Sequence, residues 1–231
     1  MDETKKWTVY LIFLVTGWAT GIGTLGLFPQ LWLHYGIFGL LFYLVFTVVF
    51  AIVAILESEK VIELGHYFVD LYDKVLKKPA MIDAIWITLA LFISFYAANI
   101  VLPLLGPFVG VGFVGRLISK AIIMALIFVI ITRAKEKTFT IMAIGGIVFI
   151  SLVFITTALA LTTPKGNTWT YVHWGLSQLT AVKPITTRMI VESALRALYG
   201  VGLGLGFYLM LGSFMGKRFN AKTIIGMGIF I

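Results

Sequence analysis

The feature that most constrains this chain is a succession of apolar runs, each close to the length that crosses a bilayer. Six of them lie at 7–32, 36–57, 84–105, 117–132, 138–163 and 194–215. A spanning helix needs about 20 mostly apolar residues. The fourth run is short, and a full span there has to begin a few residues earlier. A seventh run starts near Thr223, and the sequence stops inside it at Ile231, which reads as a truncated span. Of the 231 residues, 60% are hydrophobic and only 12% charged, about half the charged share of a soluble domain. The mean hydropathy is +1.03. A soluble fold of this size could not hide so much apolar surface. The expected class is an all-α polytopic membrane protein with one transmembrane domain over 1–231.

Loop charges set the expected orientation. With the N-terminus inside, Lys5, Lys6, Lys60, Lys74, Lys77, Lys78, Arg133, Lys135, Lys137, Lys217, Arg218 and Lys222 are cytoplasmic. Arg116, Lys120, Lys165, Lys183, Arg188 and Arg196 are external. The split is 12 against 6 of the 18 basic residues, and an excess inside is the rule. The expected location is the plasma membrane, multi-pass, with a cytoplasmic N-terminus. The net charge of +8 sits between apolar runs, so it reads as topology rather than nucleic-acid binding. The start "MDETKKW" leads into an apolar run without a cleavage site, so it reads as a retained segment. No cysteine is present, which excludes disulfides and thiol chemistry.

Two connections stand out. After the second run, Val61, Leu64, Phe68, Leu71 and Val75 recur at helical spacing among charges, predicting an amphipathic helix up to a break at Pro79. The polar, aromatic segment 164–190 predicts a long external loop with room for a short helix.

The first run contains "TGWATGIGTLGLFPQ", residues 16–30. Its "GIGTLG" matches the dinucleotide-binding pattern G-x-G-x-x-G, but the context is wrong. That fingerprint needs a preceding strand and an acid about 20 residues later, and no Asp or Glu occurs between Glu3 and Glu57. Two readings compete for these glycines. One is a close-packing seam between helices. The other is a helix break, because Gly17, Gly21, Gly23 and Gly26 crowd into ten residues that end at Phe28-Pro29. A broken span leaves backbone groups that membrane proteins tolerate only when buried or lining a cavity. The sixth run carries Gly200, Gly202, Gly204, Gly206 and Gly212. Gly-interrupted spans opening two five-helix halves point to a transporter built from inverted repeats.

These motifs resemble the neurotransmitter:sodium symporter family. Its first span reads like G-N-A-V-G-L-G-N-x-x-R-F-P, matched here at Gly17, Ala19, Gly21, Gly23, Phe28 and Pro29. "GLGLG" at 202–206 is similar to the family's S-L-G-F-G. "ALTTPKGNTW" resembles its T-P-N-G stretch, and "ISFYAAN" its third-span Y-Y-S. The resemblance implies a leucine-transporter-like fold. Residues 1–163 would form the first five-helix repeat, 164–190 an external loop, and 191–231 the start of the second repeat. It implies sodium-coupled symport of a small amino acid or related amine by alternating access, with at least one Na⁺ and no organic cofactor. Carried over position by position, Gly17 and Thr20 would offer carbonyls to one sodium. Ala19 would serve the other, where Thr24 stands in place of an Asn. The amides of Ile22 and Gly23, with Tyr96, would meet a substrate carboxylate. Tyr199, Gly200 and Gly202 would face the amine, and Leu205 would line the side-chain pocket. Leu27 replaces the family's gate Arg, while Arg196 stands opposite, so Arg196, Leu27 and Tyr199 are the gate candidates. Gly200 and Gly202 replace a Thr and a Ser, and Trp18 replaces an Asn, which would make the site smaller or more apolar.

The partners implied are a small-molecule substrate and the lipid bilayer, with a second copy or a missing C-terminal half completing the assembly. Two alternatives stay open: a transporter-fold binding or regulatory subunit without coupling, and a proton-coupled relative. No Ser-His-Asp or paired-carboxylate constellation suggests an enzyme. His34, His66 and His173 lack ligand spacing. Glu192 and Arg196 are four apart, the spacing of a surface helix pair or of an external gate.

Overall fold

A computed structural model describes residues 3–20, 22–65, 84, 87–88, 91, 112–134, 137–204 and 206–231. Among the described residues the chain is all-helical: α1 (Glu3–Ala19), α2 (Ile22–Leu64), α3 (Phe113–Ala134), α4 (Lys137–Thr162), α5 (Thr168–Leu179), α6 (Thr187–Val201), α7 (Phe207–Met215), the 3₁₀ turn η1 (Gly216–Arg218) and α8 (Ala221–Phe230). The fourth apolar run becomes α3, which begins four residues before the run's apparent start, as a full span requires. The loop after the fifth run holds α5. The expected third span and most of the amphipathic helix after Leu64 lie outside the described residues. The chain divides into two compact units, Val69–Thr138 and the remainder. The rest of this description concerns the larger one.

α2 is two helical arms, not one rod. Gly36 has φ 63 and ψ −151, and a β-carbon on Gly39 would sit 3.2 Å from the Leu31 carbonyl. Eight residues of straight helix would separate those positions by about 12 Å, so the chain doubles back at Gly36. This is the boundary between the first two apolar runs. Only glycine fits there, because a side chain would run into the Ala181 carbonyl and φ is left-handed. The end of the first arm is then satisfied from outside. Lys183 Nζ donates to the carbonyls of Leu33 (2.8 Å) and His34 (3.1 Å), and the Ile37 amide donates to Ala181 (3.0 Å). A cation on the last carbonyls of a helix meets its negative dipole end.

Small residues let the helices close up. The Gly146 β-carbon position lies 2.5 Å from the Phe13 carbonyl and 3.3 Å from Gly17 Cα, so α1 and α4 touch backbone to backbone. Gly212 of α7 meets Ser58 of α2 in the same way, and Gly228 of α8 meets Val15 of α1. Such contacts replace the hydrophobic driving force where helices associate in an apolar medium. The buried cluster joins Leu11, Leu14 and Val15 to Tyr208, Leu211, Met215, Ile224 and Ile225. Ser58 Oγ ties α2 to α7 by donating to the Tyr208 carbonyl (2.6 Å).

Among the described residues, two stretches are long and apolar enough to cross a membrane, Pro29–Leu64, most of which is the α2 arm after Gly36, and Phe139–Thr162, and only 22% and 6% of their apolar windows are buried. Ile144, Val148, Leu152, Ile155 and Leu159 stand outward along α4. The polar ends segregate. Trp7 packs on Phe214 (5.8 Å), Phe139 on the same ring (4.4 Å), and Lys222 reaches Glu59 (3.6 Å). Residues 33–37, 181–183 and 188–192 meet at another end.

Candidate functional site

Both glycine-rich runs are interrupted helices. α1 stops at Ala19 and α2 starts at Ile22, with Thr20 in a turn between them. Thr20 N–H donates to the Thr16 carbonyl (2.8 Å), and its hydroxyl donates to the same oxygen. The first amides of a helix have no partner inside it. Those of Ile22 and Gly23 stand in the first turn of α2, at the positive end of its dipole. Pro29, about two turns further on, lies inside the first arm and has no amide to give.

The second interruption is wider. α6 ends at Val201, and Gly202 takes φ 71, Gly204 φ 85 and Gly206 φ 71 before α7 begins at Phe207. Three left-handed glycines in five positions explain why this run carries them. Two of the four orphan carbonyls of α6 are capped. Leu198 accepts from the amides of Gly202 (2.9 Å) and Leu203 (3.3 Å), and Val201 accepts from Tyr208 Oη (2.7 Å). Among the described residues, no donor from beyond the helix end reaches the carbonyls of Tyr199 and Gly200. These are the two that the resemblance assigns to an amine.

The interruptions meet through Trp18. Its ring stacks on Phe207 at 4.4 Å and 11°. Its Nε1 lies where a β-carbon on Gly202 would go. The indole N–H is buried and has no hydrogen-bond partner among the described residues, which costs about 1–3 kcal/mol. Position 18 carries a large ring where the resembled motif has Asn, and position 202 is Gly where that motif has Ser. The two departures are in contact, and one makes room for the other. On the far side of Trp18, a cavity of about 200 Å³ is bounded by Leu14, Gly17, Met142 and Gly146.

The remaining positions sort as follows. Ala19 is buried at the end of α1. Gly17 is helical and pressed on Gly146, so the packing-seam reading and the broken-helix reading both hold within one motif. Gly200 is buried and Gly202 lies under Trp18, whereas the Tyr199 side chain is 75% exposed. The structure thus sets Gly202 against Trp18, the residue before Ala19 and Thr20, and leaves Tyr199 exposed. Ile22, Gly23, Thr24 and Leu27 are described as helical backbone only, and Gly21, Tyr96 and Leu205 lie outside the described residues.

Arg196 sits on α6 with 19% of its side chain exposed, 3.8 Å from Glu192. Glu192 also binds Arg188 at 2.7 Å and approaches the Tyr35 phenol. The Arg188 hydrogen bond holds the Glu192 carboxyl below the usual carboxylate range, against desolvation. Sequence reasoning did not single out Phe207, Tyr208 or Lys183 for these contacts. An aromatic pair directly after Gly206 was the available signal for the first two.

No protein-family model, no curated protein and no solved structure matches this sequence.

Proposed function

We propose that this is a multi-pass membrane protein acting as a secondary active transporter, a sodium-coupled symporter of a small amino acid or related amine. One observation carries the reading. Two interrupted apolar helices meet at Trp18, and the backbone groups at their ends suit a zwitterion: the first-turn amides of α2, and the Tyr199 and Gly200 carbonyls, which no donor from beyond the end of α6 reaches among the described residues. A carboxylate suits the former and an ammonium group or Na⁺ the latter. The outward apolar faces of α2 and α4 suit lipid, and the loop charges suit a cytoplasmic N-terminus. Ala19, Gly17 and Thr20 supply carbonyl oxygens for sodium. Transport proceeds by alternating access, with the interrupted helices moving against the rest.

The test is a binding screen of amino acids on the purified protein in Na⁺ and in K⁺. Sodium-selective binding of at least one small amino acid is expected, and its absence across the panel defeats the symporter reading. A second reading, a binding or regulatory subunit that does not couple, is favoured by the loss of hydroxyls at Gly200 and Gly202 together with the bulk of Trp18. It predicts amino-acid binding that is indifferent to the cation.

A further inference from the structure

A groove of about 680 Å³ opens between the end of α2 and the η1–α8 turn. Its charged residues fall into two groups. Glu59 is engaged by Lys222 at 3.6 Å, and Glu63 by Lys60 at 3.2 Å. Lys217 and Arg218 are both exposed and form no ion pair among the described residues. Both acids facing the groove therefore already have a cation, and two adjacent cations are left over. Phe219 and Ile62 add an apolar wall beside them. The groove lies at the end of the molecule that holds Trp7 and Phe214, where the apolar helices give way to charge.

We infer that Lys217 and Arg218 hold the phosphate of an anionic phospholipid, with Phe219 and Ile62 against the start of its acyl chains. Basic residues next to a membrane helix attract anionic headgroups, each contributing a measurable share. An exposed pair would equally attract soluble phosphate. The apolar wall and the position at the end of the spans favour the lipid. The inference rests on the membrane part of the proposed function and is independent of sodium coupling.

The test uses the purified chain in phosphatidylcholine nanodiscs with and without phosphatidylglycerol, read by thermal unfolding and by native mass spectrometry of retained lipid. The wild type should unfold at a higher temperature with phosphatidylglycerol. Lys217→Gln with Arg218→Gln should weaken lipid retention about thirtyfold. The exchange Lys217→Arg with Arg218→Lys should restore it, and Lys165→Gln, the loss of a single charge in the segment before α5, should leave it unchanged. Rising salt should release the lipid from the wild type, a reading that needs no variant to fold. Equal behaviour in both lipids, full retention in the double Gln variant, or an equal response to inorganic phosphate without phosphatidylglycerol would overturn the proposal.

Discussion

Trp18 and Gly202 form a lock at the level of single side chains. Any side chain at 202 meets the indole and must also adopt φ 71, so Gly202→Ala should lower stability by about 3 kcal/mol. Gly204 has φ 85 but open space around it, and Gly204→Ala should cost only about 1 kcal/mol. Chemical unfolding in detergent reads the difference. The pairing itself is tested by a double-mutant cycle. Trp18→Asn should relieve most of the cost of Gly202→Ser, whereas additive effects would mean that the contact carries no energy. Glu192 gives a pH signal of known sign. Its folded carboxyl titrates below its unfolded value because of Arg188. Its contribution is therefore present above the unfolded value and lost as pH falls through the folded one. Glu192→Gln should flatten the stability profile as pH falls through and below the ordinary carboxylate range. Arg188, whose hydrogen bond is the largest cause of the shift, is 81% exposed, so the change is small.

Between elements, the glycines of α4 separate packing from propensity. Gly146 touches the α1 backbone, while its neighbour Gly145 faces open space. Gly146→Ala should push α1 from α4 and cost about 1–3 kcal/mol. Gly145→Ala should be neutral or stabilising by about 0.5–1 kcal/mol, as for a helix-interior glycine without a contact. Matching thermal shifts for the two variants would show that α1 and α4 do not meet there. Helix ends were legible in the sequence because they follow from chemistry along the chain. Glycine crowding at 17–26 and 200–206 marked both interruptions, and the gap between apolar runs at 32–36 marked the hairpin. The caps that close those ends were not legible. Lys183 on Leu33 and Ser58 on Tyr208 each join residues 150 apart, and no local pattern reports such a pair. The stack of Trp18 on Phe207 depends on how two helices are rotated, which one periodic apolar stripe does not fix.

For the whole molecule, hydropathy carried most of the architecture. Runs at 117–132, 138–163 and 194–215 correspond to α3, α4 and the α6–α7 pair. The amphipathic stretch behaved differently within its described part. α2 continues to Leu64 and stops at Gly65, whose φ is 64. The candidate site was legible as a pair of interruptions but not as a cavity, because Trp18 fills the junction between them. Arg196, beside Glu192 on α6, belongs to this scale because a gate acts on access to the site. Arg196→Ala should weaken or uncouple uptake without lowering expression, and unchanged uptake kinetics would remove it from the gate. The central claim, a solute seat where two interrupted helices meet, is tested most directly by uptake of labelled amino acids into proteoliposomes under an inward Na⁺ gradient. The account predicts accumulation above a K⁺ control, abolished by Gly202→Ala in protein that remains folded. Folded wild-type protein that accumulates no amino acid above that control would contradict it.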